Sequence, residues 1–108
     1  INAIGADAAG KQEIFTSLVK RAKIVIDDWS QASHSGEINI PVSRGDLTEK
    51  DVYGALGEIV AGRKRGRRSR KEITLFDSTG LAVQDVSCAE VVYRALKEKD
   101  KVRGVRFF

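Results

Sequence analysis

The chain has 108 residues and a mass of 11.9 kDa. That is enough for one compact core and too little for two, since domains usually run to roughly 100–150 residues. Hydrophobic residues at 42% and charged residues at 31% fit a globular chain, and no apolar run approaches the roughly 18 residues that a membrane span needs. The net charge is +4, yet residues 63–71 (RKRGRRSRK) hold seven basic side chains and no acid, so the rest of the chain is net negative. The plainer reading of that stretch is a solvated loop; the alternative is a phosphate-binding strip, which lacks the interleaved aromatics that stack bases. The single cysteine, Cys88, excludes an internal disulfide, and no signal-peptide pattern opens the chain, so a reducing cytoplasm is the expected setting. With no methionine and Ile1 first, the expectation is a piece of a larger or processed protein.

Residues 1–4 read as a short strand that enters a turn at Gly5. Ile14, Leu18, Val19 and Ala22 fall on one helical face, with Lys20 and Arg21 in the last turn where they suit the helix dipole. Ile24, Val25 and Ile26 are consecutive β-branched residues bounded by charge, the mark of a strand covered on both faces in a parallel sheet. Residues 28–44 are mostly loop, with a short helix over 29–32 and an extended piece over 38–42 around Pro41. Thr48 opens a helix with Asp51 as an acidic cap partner; Val52, Leu56, Ile59 and Val60 are its buried stripe, and Gly62 ends it. After the basic stretch, residues 72–76 alternate as a strand that stops at Asp77. Leu81, Ala82, Val86, Ala89, Val92, Tyr93 and Leu96 trace a long helix, and residues 105–108 are assigned to an edge strand or docked tail.

Strands alternating with helices predict an α/β fold with a mostly parallel sheet, in which ligands sit beyond the carboxyl ends of the strands. The loops that matter are therefore 5–11, 27–31 and 77–81. The first, Gly5-Ala6-Asp7-Ala8-Ala9-Gly10-Lys11-Gln12, is one residue from the phosphate-loop pattern G-x-x-x-x-G-K-[ST]. Gln12 has no hydroxyl for Mg²⁺ and Asp7 puts a carboxylate in the cradle, so a nucleotide triphosphate site is not expected. Asp7 stands either as an ordinary turn aspartate or as a general base whose pKa is adjusted by burial. Asp77-Ser78-Thr79-Gly80 reads equally as a plain N-cap cluster or as a set of N–H groups that hold an anion or an amide. His34 lacks metal-ligand partners, so no metal is expected. Cys88 reads as a buried packing residue, and Trp29 as a packing or interface residue.

Ile1-Asn2-Ala3-Ile4-Gly5-Ala6-Asp7 with Gly10-Lys11-Gln12-Glu13, Val25-Ile26-Asp27-Asp28 with Gln31 and Gly36-Glu37, Leu56-Gly57-Glu58-Ile59 with Gly62, and Thr74 through Ala82 with Asp85, taken in order and spacing, resemble the ornithine cyclodeaminase and mu-crystallin family, in particular its archaeal-type alanine dehydrogenases. The resemblance covers nearly the whole chain. It implies one partial domain over 1–108: the second half of a Rossmann-type NAD(P)-binding domain plus a C-terminal segment. No G-x-G-x-x-G occurs, so the pyrophosphate turn and the substrate-gripping Lys and Arg are expected upstream, and the piece alone should be catalytically silent. By the same resemblance Asp7 is the acid/base near the substrate amine, Gly5 and Ala6 lie beside the nicotinamide of NAD or NADP, and Ser78, Thr79, Gly80 and Leu81 flank it. The implied activity is hydride transfer from the Cα of an L-amino acid, in a cytoplasmic homodimer, with nucleic acid not expected as a partner. A non-catalytic, mu-crystallin-like binder is the other role the family offers, one that a serine in place of Asp7 would favour. Phe15, Thr16 and the basic stretch depart from the family pattern.

Overall fold

The computed structural model describes residues 1–99 and 101–104. Four strands, β1 (Asn2–Ala3), β2 (Lys23–Ile26), β3 (Val52–Ala55) and β4 (Thr74–Asp77), form one parallel sheet in the order β1-β4-β2-β3. Among the described residues five α-helices accompany them: α1 (Thr16–Val19), α2 (Trp29–Ser35), α3 (Asn39–Ser43), α4 (Leu56–Val60) and α5 (Ala82–Lys97). The fold is therefore the parallel α/β arrangement that the alternation of elements implied. β4, last in sequence, lies between β1 and β2, so three strands that end in the loops of interest stand side by side.

Burial explains why these segments hold. Ile24, Val25 and Ile26 are all buried, as expected of an inner parallel strand. Ile24 and Ile26 join Ala3, Val19, Ala32, Ile38, Leu47 and Leu75 in one core, against which Ile14, Ala22, Trp29 and Val42 pack. Trp29 is thus a packing residue. Asp28 caps α2 by accepting from the Gln31 N–H at 3.1 Å, which fixes the chain's exit from β2.

Several elements differ from the sequence reading. α1 begins only at Thr16; ahead of it the N–H groups of Glu13 and Ile14 donate to the Glu37 carboxylate. The extended piece expected over 38–42 is α3, in which Pro41 sits in the first turn and its missing N–H costs nothing. The helix expected from Thr48 is split. Asp51 does accept from the Thr48 N–H and hydroxyl, at 2.7 and 2.8 Å, but the turn so capped is a single 3₁₀ turn (Glu49–Asp51), followed by β3 and then α4. Val52 and Tyr53 suit a strand as well as a helix, and the register slips between Ile24 and Val25 opposite β3, where Gly54 has φ 159°. Residues 105–108 lie outside the described residues.

Candidate active site

The sheet register decides which loops meet. Ala3 pairs with Asp77, and Asp77 pairs with Ile26, so β1, β4 and β2 end level with one another, neighbouring strands being roughly 5 Å apart. The chain leaves this rim as Gly5–Asp7 after β1, as Asp27 after β2 and as Ser78–Leu81 after β4. The ladder even continues one step further, since the Ser78 N–H donates to the Ala3 carbonyl at 2.9 Å. All three loops marked out from the sequence thus converge on one edge.

Asp7 is exposed there, with 69% of its side chain accessible, and pairs with Lys11 Nζ at 2.5 Å. The hydrogen bond and charge of Lys11 hold its carboxyl below the ordinary range. The expected adjustment by burial is therefore corrected: the cause is a cation four residues on, and the direction is down, so Asp7 is a carboxylate at neutral pH and a weaker base than an unpaired aspartate. Gly5 is exposed and Ala6 buried. A Cβ at Gly5 would strike the Glu13 carboxylate, so Asp7 and Glu13 both bring negative charge to this loop.

The turn after β4 does not offer its N–H groups to a ligand. Those of Thr79 and Gly80 donate to Asp27 Oδ2 at 2.7 and 3.0 Å, and the Thr79 hydroxyl donates to Asp27 Oδ1 at 2.8 Å. The reading of residues 77–80 as an anion or amide holder through these N–H groups is corrected accordingly. Nor do they cap the next helix, whose N-cap is Leu81. What remains for a ligand is the Ser78 side chain, backbone carbonyls and Leu81. Leu81 and Asp27 line a cleft of about 280 Å³ with Leu56, Gly57 and Val60 of α4.

A fourth segment, missed from the sequence, joins the rim from below. Glu37 and Asn39 are buried at the α2–α3 junction. Asp77, also buried, accepts from the Glu37 N–H at 2.8 Å and the Ile38 N–H at 3.1 Å. Burial pushes its carboxyl up, and the two N–H groups oppose that shift. Asp27 and Asp77 were legible only as acids that end strands, and Gly36-Glu37 only as part of a family pattern; nothing local distinguishes a buried carboxylate from a solvated one.

The remaining sequence candidates separate from the rim. The phosphate-loop look-alike is closed from within: the Gly10 N–H donates to Asn39 Oδ1, the Lys11 N–H to the Ala8 carbonyl, and Lys11 Nζ is taken by Asp7. His34 is exposed on α2, where its Nδ1 lies 2.8 Å from the Ser30 carbonyl. Among the described residues no group of three or more His, Cys, Asp or Glu is placed to hold a metal, and no helix is long and apolar enough to cross a membrane. Cys88 is exposed on α5, which corrects its reading as a buried residue. The basic stretch runs between the two ends of the sheet: Lys64 lines a cleft with Asp27 and Asp28 near the carboxyl rim, whereas Arg67 reaches Thr74 at the start of β4. Lys64 is paired with Glu58 at 3.0 Å and Arg67 donates to the Thr74 hydroxyl at 2.8 Å, which pins the loop to the sheet.

A sequence model of the ornithine cyclodeaminase/mu-crystallin family matches residues 1–100. The chain belongs to that family. Within it, the chain is 54% identical to the alanine dehydrogenase of Archaeoglobus fulgidus over 108 residues, all of this chain and 34% of the relative. Among solved structures it superposes on an archaeal alanine dehydrogenase dimer with bound NAD with a TM-score of 0.89, covering 100% of this chain and 34% of that one. It also superposes on the Thermococcus litoralis Δ1-pyrroline-2-carboxylate reductase in complex with NADH and L-proline, at 36% identity and a TM-score of 0.86, covering 97% of this chain and 33% of that one. The chain thus spans about one third of the length of the family members it matches. These relatives are enzymes, and the structural ones are NAD or NADH complexes.

Proposed function

We propose that this chain is the C-terminal part of an NAD(P)-dependent amino-acid oxidoreductase, in which Asp7 is the acid/base and residues 5–6 and 78–81 form the wall beside the nicotinamide. L-alanine, oxidatively deaminated, is the first substrate to test, and the whole protein is proposed to work as a homodimer. The observation that carries this reading is the level ending of β1 and β4, which brings Asp7 and residues 78–81 out of one rim.

The chemistry of the rim fits the cofactor's ring end rather than its phosphates. Acids outnumber bases here: Asp7 and Glu13 on the first loop and Asp27 under the last, against Lys11, which is paired with Asp7. Such a field disfavours a pyrophosphate and favours cations, which suits both an oxidised nicotinamide and a substrate ammonium. Gly5 and Ala6 keep the surface beside β1 low, and Ser78 supplies a hydroxyl for an uncharged amide. When bound there, NAD(P)⁺ supplies the acceptor for the hydride on the substrate Cα.

Asp7 manages the protons. As a carboxylate it takes one from the substrate's ammonium as the C–N bond gains double-bond character. Having passed that proton to solvent, the restored carboxylate takes one from the water that adds to the imine carbon and returns it to nitrogen, and ammonia leaves as the hydroxyl proton is withdrawn, giving the 2-oxo acid. A side-chain amine in place of water gives a cyclic imine as ammonia leaves, and return of the hydride to that imine would give the cyclic amino acid, the cyclodeaminase outcome. Lys11, by pairing with Asp7, keeps it ionised between turnovers.

The test is Asp7→Ala in the full-length protein with NAD⁺ and L-alanine. Turnover should fall by about 10²–10⁴-fold, while the affinity for NAD⁺ changes by less than about threefold. Turnover equal to that of the unaltered protein would overturn the assignment.

A further inference from the structure

Asp7 is exposed and, among the described residues, its side chain is tethered only to Lys11, on a loop with few bonds of its own. Proton transfer requires its carboxylate within about 3 Å of the group it serves, so something must hold that loop. Its internal backbone bonds, Asp7 N–H to the Gly5 carbonyl and Lys11 N–H to the Ala8 carbonyl, are both local and fix no position relative to the sheet. The anchoring comes from elsewhere. Asn39 Oδ1 accepts from the Gly10 N–H at 2.9 Å, and Asn39 Nδ2 donates to the Lys11 carbonyl at 2.7 Å. Glu37 Oε1 accepts from the Glu13 N–H at 2.9 Å and the Ile14 N–H at 2.6 Å.

We infer that Glu37 and Asn39 are positioning residues for Asp7, and that through Asp77 they tie its loop to the 78–81 turn. This rests on the acid/base reading of Asp7. Glu37 is wholly buried and Asn39 nearly so, at 0% and 5% exposed. A buried carboxylate is costly unless hydrogen bonds compensate it, and those of Glu37 are made to the loop that carries Asp7. The pair is itself held: Asp77 accepts from the Glu37 and Ile38 N–H groups, and Asn39 Nδ2 also donates to the Gly36 carbonyl at 2.5 Å. Asp77 immediately precedes Ser78, so the residue that leads from β4 into the 78–81 turn also seats the segment that braces the other loop, while the turn itself is held by the Asp27 carboxylate. Gly36 makes this seat possible. A Cβ there would stand 2.5 and 2.7 Å from the Asp77 oxygens.

The experiment is a double-mutant cycle between Glu37→Ala and Asp7→Asn in the full-length protein, read as kcat with saturating NAD⁺ and L-alanine. It is accompanied by hydrogen exchange over residues 10–14. Glu37→Ala should lower kcat by at least about tenfold while leaving NAD⁺ affinity within about threefold, and should raise exchange over 10–14 by at least about tenfold. Glu37→Gln, which keeps an oxygen for both N–H groups, should recover most of the rate. In the Asp7→Asn background Glu37→Ala should change the residual rate by less than about twofold, because the two act as one unit. Equal losses in both backgrounds, or unchanged exchange, would overturn the positioning role while leaving Asp7 in place. An Asp7→Asn protein with full kcat would instead overturn the acid/base reading beneath it. Should Glu37→Ala fail to fold, Asn39→Ala removes the Gly10 and Lys11 anchors together with the bond to the Gly36 carbonyl, and must give the same non-additive pattern.

Discussion

At the carboxyl rim, Asp77 is 1% exposed and Glu37 is 0% exposed, and each accepts main-chain N–H groups from a neighbouring segment. Along α5, sixteen residues long, no side chain is buried: Val86 is 68% exposed, Val92 56% and Tyr93 48%. The polar groups are inside and an apolar stripe is outside, the reverse of the usual partition. The difference separates two sources of order. The rim is fixed by directional bonds that saturate within this chain, whereas α5 holds its shape through its own backbone ladder and i,i+4 contacts such as Arg94 to Glu90 at 2.6 Å.

The sharpest way to break that contrast is at Asp77. Asp77→Ala strands two buried N–H groups, each worth about 1–3 kcal/mol when left without an acceptor. Some of that is offset because burial already disfavours the charged carboxyl. A net destabilisation of about 2–4 kcal/mol is expected, measured by denaturant unfolding of the full-length protein. Because Asp77 seats residues 37–38, exchange over 10–14 should rise in the same variant. A loss below about 0.5 kcal/mol, the range of ordinary surface substitutions, would place the rim's order in its apolar contacts instead.

How much of this was readable beforehand follows from what each signal measures. β-branched runs and alternation located β2 and β4, because sheet burial leaves its mark on every residue of a strand. The register that levels β1 with β4 could only be inferred from the rule that ligand loops share the carboxyl rim, and Asp7 gained its meaning from the pattern Ile4-Gly5-Ala6-Asp7 in a family context. Val52, Leu56 and Ile59 misled because one spacing served a strand and then a helix, with Gly54 at the irregular register between them. Cys88 misled because apolar periodicity reports a helix face and says nothing of what covers it. Glu37 and Asn39 were illegible for a different reason. Their partners are N–H groups 23–29 residues away, and acceptors that meet only after folding leave no local pattern.

A smaller effect tests how finely the rim tunes its proton acceptor. Lys11 lowers the pKa of Asp7 by hydrogen bond and charge, so the unprotonated, proton-accepting form persists to lower pH than an unpaired aspartate would allow. Removing the cation in Lys11→Ala raises that pKa. The acid limb of the pH profile for kcat/KM in the full-length protein should therefore move to higher pH, with the plateau at neutral pH changed little. The same sign applies to folding. A depressed carboxyl contributes stability above its unfolded pKa and loses it as pH falls through the folded one, so Lys11→Ala should lower stability slightly at neutral pH, by a difference that fades as pH falls through the folded pKa of Asp7. An acid limb that stays in place would mean that Asp7 is not the group titrating in the reaction.

The mildest probe reads α5 directly. Cys88 is exposed, and a helix of this length without tertiary cover is marginal in water. In the 108-residue polypeptide its thiol should therefore react with a neutral thiol reagent within about threefold of the rate in denaturant. The full-length protein then supplies the decisive comparison, since a helix whose apolar stripe finds a cover must slow that reaction. Equal rates in both would show that Val86, Val92 and Tyr93 stay in water in the whole protein. Slow labelling in the short polypeptide alone would mean that α5 already packs within these residues, and the contrast with the rim would lose its basis.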